Sequence, residues 1–140
     1  MNEPLEKMEI YPGYLEGEET LGIVLVGEFY FLSIYVSKRQ AASILTGLEG
    51  EQPGRPMTHD VFIEVINKLG GAVKRVVVDG IQGGVFMAKL YLEHGQNDEG
   101  IVLDIRPSDG MALAAREGCS IYVAREVLHQ AGQNKETLGI

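Results

Sequence analysis

Two apolar runs near the start of the chain, only two residues apart, limit the possible folds more than any other feature. Residues 21–26 read LGIVLV and residues 29–36 read FYFLSIYV, and both are rich in β-branched and aromatic side chains. Gly27-Glu28 between them is a two-residue hairpin signal with glycine in the first position. The chain is therefore expected to begin with antiparallel strands.

The pattern that follows alternates irregularly between helix and strand. Ser37 and Gln40 form a capping box that opens one helix, and a second helix is expected to begin near Thr58. Further strands are predicted at AVKRVVV, GVFMAKLYL, IVLDIR (as a central strand) and CSIYV, with helices at PSDGMALAAREG and AREVLHQAG and a surface loop at EHGQNDEG. Hairpin-like pairs mixed with helices indicate an α+β domain, with a mixed or antiparallel sheet packed by about three to four helices.

Length and composition are those of one domain. The chain has 140 residues, 45% of them hydrophobic, and no linker or low-complexity segment divides it. We predict one domain over residues 1–131 and a frayed tail over residues 132–140. No run of 18 apolar residues is present, and the N-terminus lacks the features of a signal peptide, so a cytoplasmic protein without a membrane segment is expected.

The charge and the cysteine content exclude two classes of protein. The net charge is −8, from 20 acidic and 12 basic residues, which opposes non-specific coating of nucleic acid. Contact with DNA or RNA would have to depend on a local cluster of cations. Cys119 is the single cysteine and lies among apolar and small residues, so no intramolecular disulfide framework exists and an inert thiol is expected.

One short element occurs twice, each time before a helix. Residues 55–60 read RPMTHD, and residues 106–109 read RPSD. Proline is suited to the first helical turn, and the hydroxyl of Thr58 or Ser108 is expected to cap the helix. The aspartate of each element then falls in the first turn, where the helix dipole favours negative charge. This explanation of the helix starts needs no ligand.

The arginines of the two elements leave two interpretations open. Arg55 and Arg106 either pair with nearby aspartates or point into a shared cleft, where guanidinium groups and helix N-termini bind phosphate. Asp104 and Arg106 lie two residues apart in a predicted strand and so share one face, roughly 6–7 Å apart. A carboxylate and a guanidinium would then stand side by side at the end of that strand.

Histidine and aspartate supply the candidate chemistry. His59 is either a general acid or base, since free imidazole titrates near neutral pH, or a residue that only packs locally. No two histidines have the spacing of zinc ligands. Magnesium or manganese held by Asp60, Asp104 and Asp109 is chemically possible. The sequence lacks G-x-S-x-G, C-x-x-C, G-x-G-x-x-G and the P-loop pattern.

Two long segments of the chain resemble one known family. They read GRPMTHDVFIEVINKLGGAVKRVVVDGIQGGVFMAKLYL and LDIRPSDGMALAAREGCSIYVAREVL, and the family is that of the bifunctional nuclease domain. The hallmarks of that family are an R-P-x-T-H-D element, a G-T-F-Y-A-like strand and a D-x-R-P-S-D-A element. The resemblance covers about residues 21–131. It implies a compact α+β fold, a homo-oligomer (a dimer or a larger assembly), and nuclease activity on DNA and RNA.

Three departures from the family pattern bear on activity. Gln40 stands where the family usually has a glutamate, and it cannot act as a base or hold a cation by its charge. GVFMA replaces G-T-F-Y-A, which removes a hydroxyl and a phenol. Gly110 replaces an alanine, which is expected to weaken the helix start by roughly 1 kcal/mol.

Two functional hypotheses follow. The first is a weak nuclease that depends on a divalent metal, Mg²⁺ or Mn²⁺. Its predicted catalytic residues are His59, Asp60, Asp104 and Asp109, and the three aspartates are also the predicted metal ligands. The residues predicted to bind phosphate are Arg55, Arg106, Thr58 and Ser108. The alternative is a non-catalytic oligomeric module that binds a protein partner or a small anion. The alternative accounts better for the acidic charge and for the absence of the family glutamate.

Overall fold

An antiparallel meander forms the first part of the chain. The computed structural model describes residues 4–50, 54–95 and 97–139. The predicted hairpin is confirmed, with Ile23 paired to Ile34. Its turn lies one residue further on than predicted, because the Gly27 N–H donates to the carbonyl oxygen of Tyr30 over 2.9 Å and leaves Glu28 and Phe29 in the turn. The three strands of the meander are β1 (Leu5–Glu16), β2 (Thr20–Val26) and β3 (Tyr30–Ser37).

Two helices and a second meander follow. The first two strands of this meander are connected by a tight turn at Gly83 and Gly84, which both have positive φ, a conformation that favours glycine. The elements are α1 (Lys38–Glu49), α2 (Thr58–Lys68), β4 (Gly71–Gln82), β5 (Val85–His94) and β6 (Asn97–Ile105). The predicted loop EHGQNDEG is therefore wrong in extent, because β5 and β6 continue through most of it.

The last part of the chain joins the two meanders into one sheet. Its elements are α3 (Pro107–Glu117), β7 (Ser120–Ala124), α4 (Arg125–Ala131), β8 (Gln133–Asn134) and a 3₁₀ turn (Lys135–Leu138). β7 pairs parallel to β4 and antiparallel to β1. The strand order in the described residues is β6-β5-β4-β7-β1-β2-β3-β8. This mixed sheet packed by helices confirms the predicted α+β domain.

The C-terminal residues lie against the edge of this sheet. β8 pairs with the start of β3, where Tyr30 faces Asn134. Lys135 donates a backbone hydrogen bond to the carbonyl oxygen of Phe29 over 2.9 Å. The predicted fraying of residues 132–140 stays a prediction.

The core lies between the sheet and the helices α1 and α3. Gly110 in α3 allows the helix to approach β4 closely, because a Cβ atom there would lie 2.8 Å from Cγ1 of Val76. The glycine in place of the family alanine thus also serves helix–sheet contact, which the sequence interpretation did not foresee. The largest fully buried side chains are Met8, Ile23, Leu25, Leu32, Ile44, Leu90, Met111 and Leu113.

The helix starts match the prediction in one case and differ in two. The capping box of α1 is confirmed by mutual hydrogen bonds between Ser37 and Gln40 of 2.8 and 3.1 Å. The predicted hydroxyl caps of α2 and α3 are wrong, since Met57 and Arg106 occupy the N-cap positions. Proline fixes its φ at a helical value, so α3 begins at the proline itself and its serine lies inside the first turn.

Two apolar surfaces of the domain face solvent. The strand of IVLDIR was expected to be central, but β6 is an edge strand with Ile101, Val102 and Leu103 at 45%, 52% and 42% exposure. The apolar face of α2 is likewise open, because Val65 and Leu69 are exposed and this helix has no fully buried residue. Apolar periodicity indicates a face that is to be covered, but not which molecule covers it.

Candidate active site

A chain of side-chain hydrogen bonds connects the three helices that pack beside the sheet. His59, in the first turn of α2, lies between Ser43 of α1 and Asp109 of α3. Its Nδ1 is 2.7 Å from Oγ of Ser43, and its Nε2 is 2.9 Å from Oδ1 of Asp109. The side chains of His59 and Asp109 are 19% and 43% exposed, so the aspartate end of the chain is open to solvent.

A buried arginine stands behind this chain. Arg116, in the last turn of α3, has a side chain only 8% exposed, and its Nε donates to Oδ1 of Asp60 over 2.7 Å. Its Nη1 donates to the carbonyl oxygens of Ser43 and Ala112 over 3.0 and 2.9 Å. Its Nη2 donates to Oγ of Ser43 over 3.1 Å. Arg116 therefore holds α1, α2 and α3 together.

Asp60 has a structural role in this cluster, because both of its carboxylate oxygens accept hydrogen bonds from the protein. Its second oxygen, Oδ2, accepts a hydrogen bond from the backbone N–H of Met57 over 2.8 Å, which closes the first turn of α2. Burial alone would raise the pKa of Asp60. The hydrogen bond from Arg116, the Met57 N–H, and the charges of Arg116 and His59 together outweigh burial and lower that pKa below its ordinary value of 3.8.

The close contact between α1 and α3 depends on small residues. A Cβ atom on Gly47 of α1 would lie 2.8 Å from Nη1 of Arg116 and 3.1 Å from Cβ of Ala115. Glycine at this position therefore gives the guanidinium its place between the helices. Arg116 follows Asp109 by seven residues, or two helical turns, so both side chains lie on one face of α3.

The predicted site residues fall into two groups. His59, Asp60 and Asp109 come together, so the two repeated elements do meet in space. Asp104 lies elsewhere, with Oδ1 3.6 Å from Nζ of Lys89, and Lys89 also reaches Asp79 over 3.5 Å. The remaining residues do not enter the hydrogen-bonded cluster: Arg55, Thr58 and Arg106 are exposed, and Ser108 is buried in α3.

A separate cavity adjoins the second element. It has a volume of about 370 Å³ and lies between β3, the starts of α1 and α3, and the turn between β4 and β5, with Gln40, Arg106 and Ser108 in its lining. Gln40 occupies the position of the usual family glutamate. This position therefore faces the same cavity as Arg106, although Oε1 of Gln40 also accepts from the backbone N–H of Ser37.

Sequence reasoning missed Ser43 and Arg116. Ser43 is a polar residue of α1 that lies next to the buried Ile44, and it is only 3% exposed. Arg116 ends an Ala-rich helix, where a cation is expected simply because it complements the helix dipole. The pairing of Arg116 with Asp60, rather than of Arg55 or Arg106 with its own aspartate, had no signal in local spacing.

The predicted metal ligands Asp60, Asp104 and Asp109 are spread over the structure and engaged by other groups. In residues 4–50, 54–95 and 97–139, no three side chains of His, Cys, Asp or Glu are grouped so that they could hold a metal ion. Both oxygens of Asp60 already accept hydrogen bonds, and Asp104 pairs with Lys89. The three aspartates therefore do not fit a shared magnesium or manganese site.

Fold and site together define a class of protein. It is a single α+β domain in which the first turns of two helices bring a histidine and an aspartate into contact beside an internally paired arginine. The family model of the bifunctional nuclease domain matches residues 25–136. The chain belongs to this family, which confirms the resemblance drawn from the two Arg-Pro elements.

Several relatives have similar sequences. An uncharacterised protein of Mycobacterium tuberculosis is 39% identical over 102 residues, covering 73% of this chain and 59% of that protein. Bifunctional nuclease 1 of Oryza sativa subsp. japonica is 29% identical over 107 residues, covering 76% of this chain and 32% of that protein. Bifunctional nuclease 1 of Arabidopsis thaliana is 27% identical over 107 residues, with 76% and 33% covered. The chain thus spans about three-fifths of the mycobacterial relative and one-third of the plant proteins.

None of the helices in the described residues is both long and apolar enough to cross a membrane. The predicted cytoplasmic location stays a prediction.

Proposed function

We propose that this protein is a nuclease that hydrolyses phosphodiester bonds of DNA, RNA or both, with Asp109 as general base and His59 as its partner. The observation that supports this proposal best is the 2.9 Å contact between Nε2 of His59 and an aspartate that is nearly half exposed. The plant relatives carry the name bifunctional nuclease, which agrees with this chemistry.

In the proposed reaction, water attacks the phosphorus atom. Asp109 takes a proton from this water while the water oxygen forms the new bond to phosphorus. The bond from phosphorus to the leaving oxygen breaks, and the leaving oxygen takes a proton from solvent. His59 donates a hydrogen bond to Asp109 and keeps the carboxylate in place. Because water is the nucleophile, no ribose 2′-hydroxyl is needed, which suits both DNA and RNA.

The exposed arginines are the proposed contacts for the substrate. The net charge of −8 repels a polyanion on average, so binding needs cations that internal carboxylates do not neutralise. Arg55 and Arg106 are exposed at the two repeated elements, whereas the internal Asp60 is matched by Arg116. We assign the phosphate contacts to these two arginines. Dependence on Mg²⁺ or Mn²⁺ stays a prediction from the sequence; since the three predicted aspartate ligands do not share a site, a metal-dependent rate would mean that the ion is held elsewhere.

The test is cleavage of end-labelled single-stranded RNA and DNA by wild type and Asp109→Asn, purified in parallel, with magnesium, with manganese and with chelator. Glu126→Gln is the matched control, since it neutralises an exposed carboxylate on α4. We expect Asp109→Asn to lose about 100-fold or more in rate, with the control unchanged. Equal traces in all three proteins would point to a contaminant and end the assignment. Asp104→Asn in the same series decides whether that carboxylate takes part.

A second candidate function is a non-catalytic oligomeric module. It is favoured by the open apolar surfaces of β6 and α2, and by the internal pairing of the polar cluster. We propose that the edge of β6 pairs with a second copy of the chain, because an edge strand offers free backbone groups as well as exposed Ile101, Val102 and Leu103.

Light scattering coupled to size exclusion tests the assembly. Val102→Lys places a charge on the exposed edge, and Val85→Lys is the matched control at the exposed turn between β4 and β5. We expect only Val102→Lys to lower the molecular mass to that of a monomer. A monomeric wild type, or an unchanged mass in Val102→Lys, would refute this interface. Arg106→Ala separates the two functions. Loss of a structural arginine would lower the melting temperature, whereas loss of a substrate contact would lower cleavage alone.

A further inference from the structure

The hydrogen bonds behind His59 determine which ring nitrogen carries its proton. Arg116 has donors only, so Oγ of Ser43 must accept from its Nη2 over 3.1 Å. The same oxygen lies 2.7 Å from Nδ1 of His59. In the described residues these are the two polar side-chain atoms that Ser43 Oγ contacts, and its side chain is almost fully buried.

Ser43 has a single hydroxyl proton, and this proton needs an acceptor. If Nδ1 of His59 carried a proton and donated it to Oγ, the hydroxyl proton of a buried serine would have no partner among the described residues. An unsatisfied buried donor costs about 1–3 kcal/mol. The serine therefore donates to Nδ1, which is the nitrogen without a proton when the ring is neutral.

The other end of the ring gives the same answer. A carboxylate only accepts hydrogen bonds, and Oδ1 of Asp109 lies 2.9 Å from Nε2. Asp109 therefore favours a proton on Nε2, but its side chain is 43% exposed and can accept from water instead, so the buried Ser43 is what fixes the tautomer. The hydrogen bonds then run in one direction, from Arg116 to Ser43, from Ser43 to His59, and from His59 to Asp109.

We infer that Ser43, oriented by Arg116, is a positioning residue that fixes the Nε2-protonated tautomer of His59 and so directs its N–H at Asp109. Ser43 is not a nucleophile, because its oxygen is buried between the guanidinium and the imidazole. The catalytic consequence rests on the proposed function, whereas the tautomer can be observed without any substrate.

Other hydrogen bonds fix the position of the Arg116 guanidinium and so maintain its contact with Ser43. Asp60 and two backbone carbonyl oxygens accept three of its other N–H groups. Gly47 leaves room for it between α1 and α3. Reorienting the Ser43 hydroxyl would therefore require Arg116 to leave several hydrogen bonds at once, and this is why the tautomer is fixed rather than mixed.

Nitrogen-15 NMR of the uniformly labelled full chain tests the inference, because long-range correlations separate the two tautomers. The chain has three histidines, and His59→Gln identifies the signals of His59. We expect the wild type to show Nε2 protonated and Nδ1 not. In Ser43→Ala the signals should move toward a mixture of tautomers, and Ser43→Thr, which keeps the hydroxyl, should restore the wild-type pattern.

Two results would overturn the inference. One is a wild type with Nδ1 of His59 protonated, a result that does not depend on whether Ser43→Ala folds. The other is a folded Ser43→Ala with an unchanged tautomer. In the nuclease assay Ser43→Ala should lower kcat about tenfold with little change in KM. Absence of cleavage in wild type would refute the proposed function and leave the tautomer result standing.

Discussion

Replacing Arg116 by alanine tests the cluster most directly. The guanidinium is 8% exposed and makes an ion pair with Asp60, two hydrogen bonds to carbonyl oxygens and one to Ser43. Breaking a buried pair by removing one partner costs about 3–5 kcal/mol, because the remaining charge loses its compensation. Asp60 is 20% exposed and keeps its bond from Met57, so we expect about 3 kcal/mol.

The measurement is urea denaturation at neutral pH followed by far-ultraviolet circular dichroism. A loss of about 3 kcal/mol corresponds to a fall in melting temperature of roughly 10 °C for a domain of this size. Arg125→Ala is the matched control. The Nε of Arg125 also donates to a carboxylate, that of Glu6 over 3.2 Å, but the arginine side chain is 58% exposed. An exposed pair of this kind contributes about 1 kcal/mol or less.

A double-mutant cycle isolates the ion pair. Asp60→Asn removes the negative charge and keeps the shape of the side chain, and the double variant shows how far the two losses overlap. We expect a coupling free energy of at least about 1 kcal/mol between the two positions. If Arg116→Ala costs no more than Arg125→Ala, or if the losses simply add, the arginine does not hold the three helices as described.

Three further predictions follow from single contacts. The pKa of Asp60 is lower in the folded chain, so its contribution to stability is complete above the unfolded value near 3.8 and is lost as the pH falls through the folded value; acid unfolding should therefore be shallower in Asp60→Asn, and an identical pH profile would contradict this. Gly110→Ala should destabilise by about 1 kcal/mol in spite of better helix propensity, because its Cβ would lie 2.8 Å from Val76, and a more stable variant would refute the close contact. Burial and the charge of Glu117 raise the pKa of Cys119 to about 11, so its thiol should react with iodoacetamide at pH 7.5 far more slowly than free cysteine, and equal rates would contradict its burial.

Local signals in the sequence predicted local structure well. The capping box of Ser37 and Gln40 and the hairpin between β2 and β3 each depend on residues within a few positions, and both are confirmed. The place of β6 in the sheet could not be predicted in the same way. A run of apolar residues marks a strand, but an edge strand with an exposed apolar surface has the same run as a central one.

The same difference between local and distant signals applies to the residues of the candidate site. His59 and Asp109 were selected because each belongs to a recognisable element, and they are in contact. Ser43 and Arg116 were missed because their partners lie far away in sequence, with 73 residues separating Ser43 from Arg116 and 56 separating Asp60 from Arg116. Only the packing of α1 against α3, for which Gly47 provides the space, brings these groups together.

The arrangement gives the arginines of this chain two distinct tasks. Arg116 neutralises Asp60 inside the protein, so Asp109 is the carboxylate of the cluster that keeps a solvent-exposed side chain. Arg55 and Arg106, which begin the two repeated elements, are then not needed to compensate the internal aspartates and remain exposed at the surface. Their position before each helix start, where a cation opposes the helix dipole, is unfavourable unless an anion binds there. The repeat thus supplies an aspartate for the helix start and a contact between the two elements, and in the proposed nuclease its arginines would also bind the phosphate of the substrate.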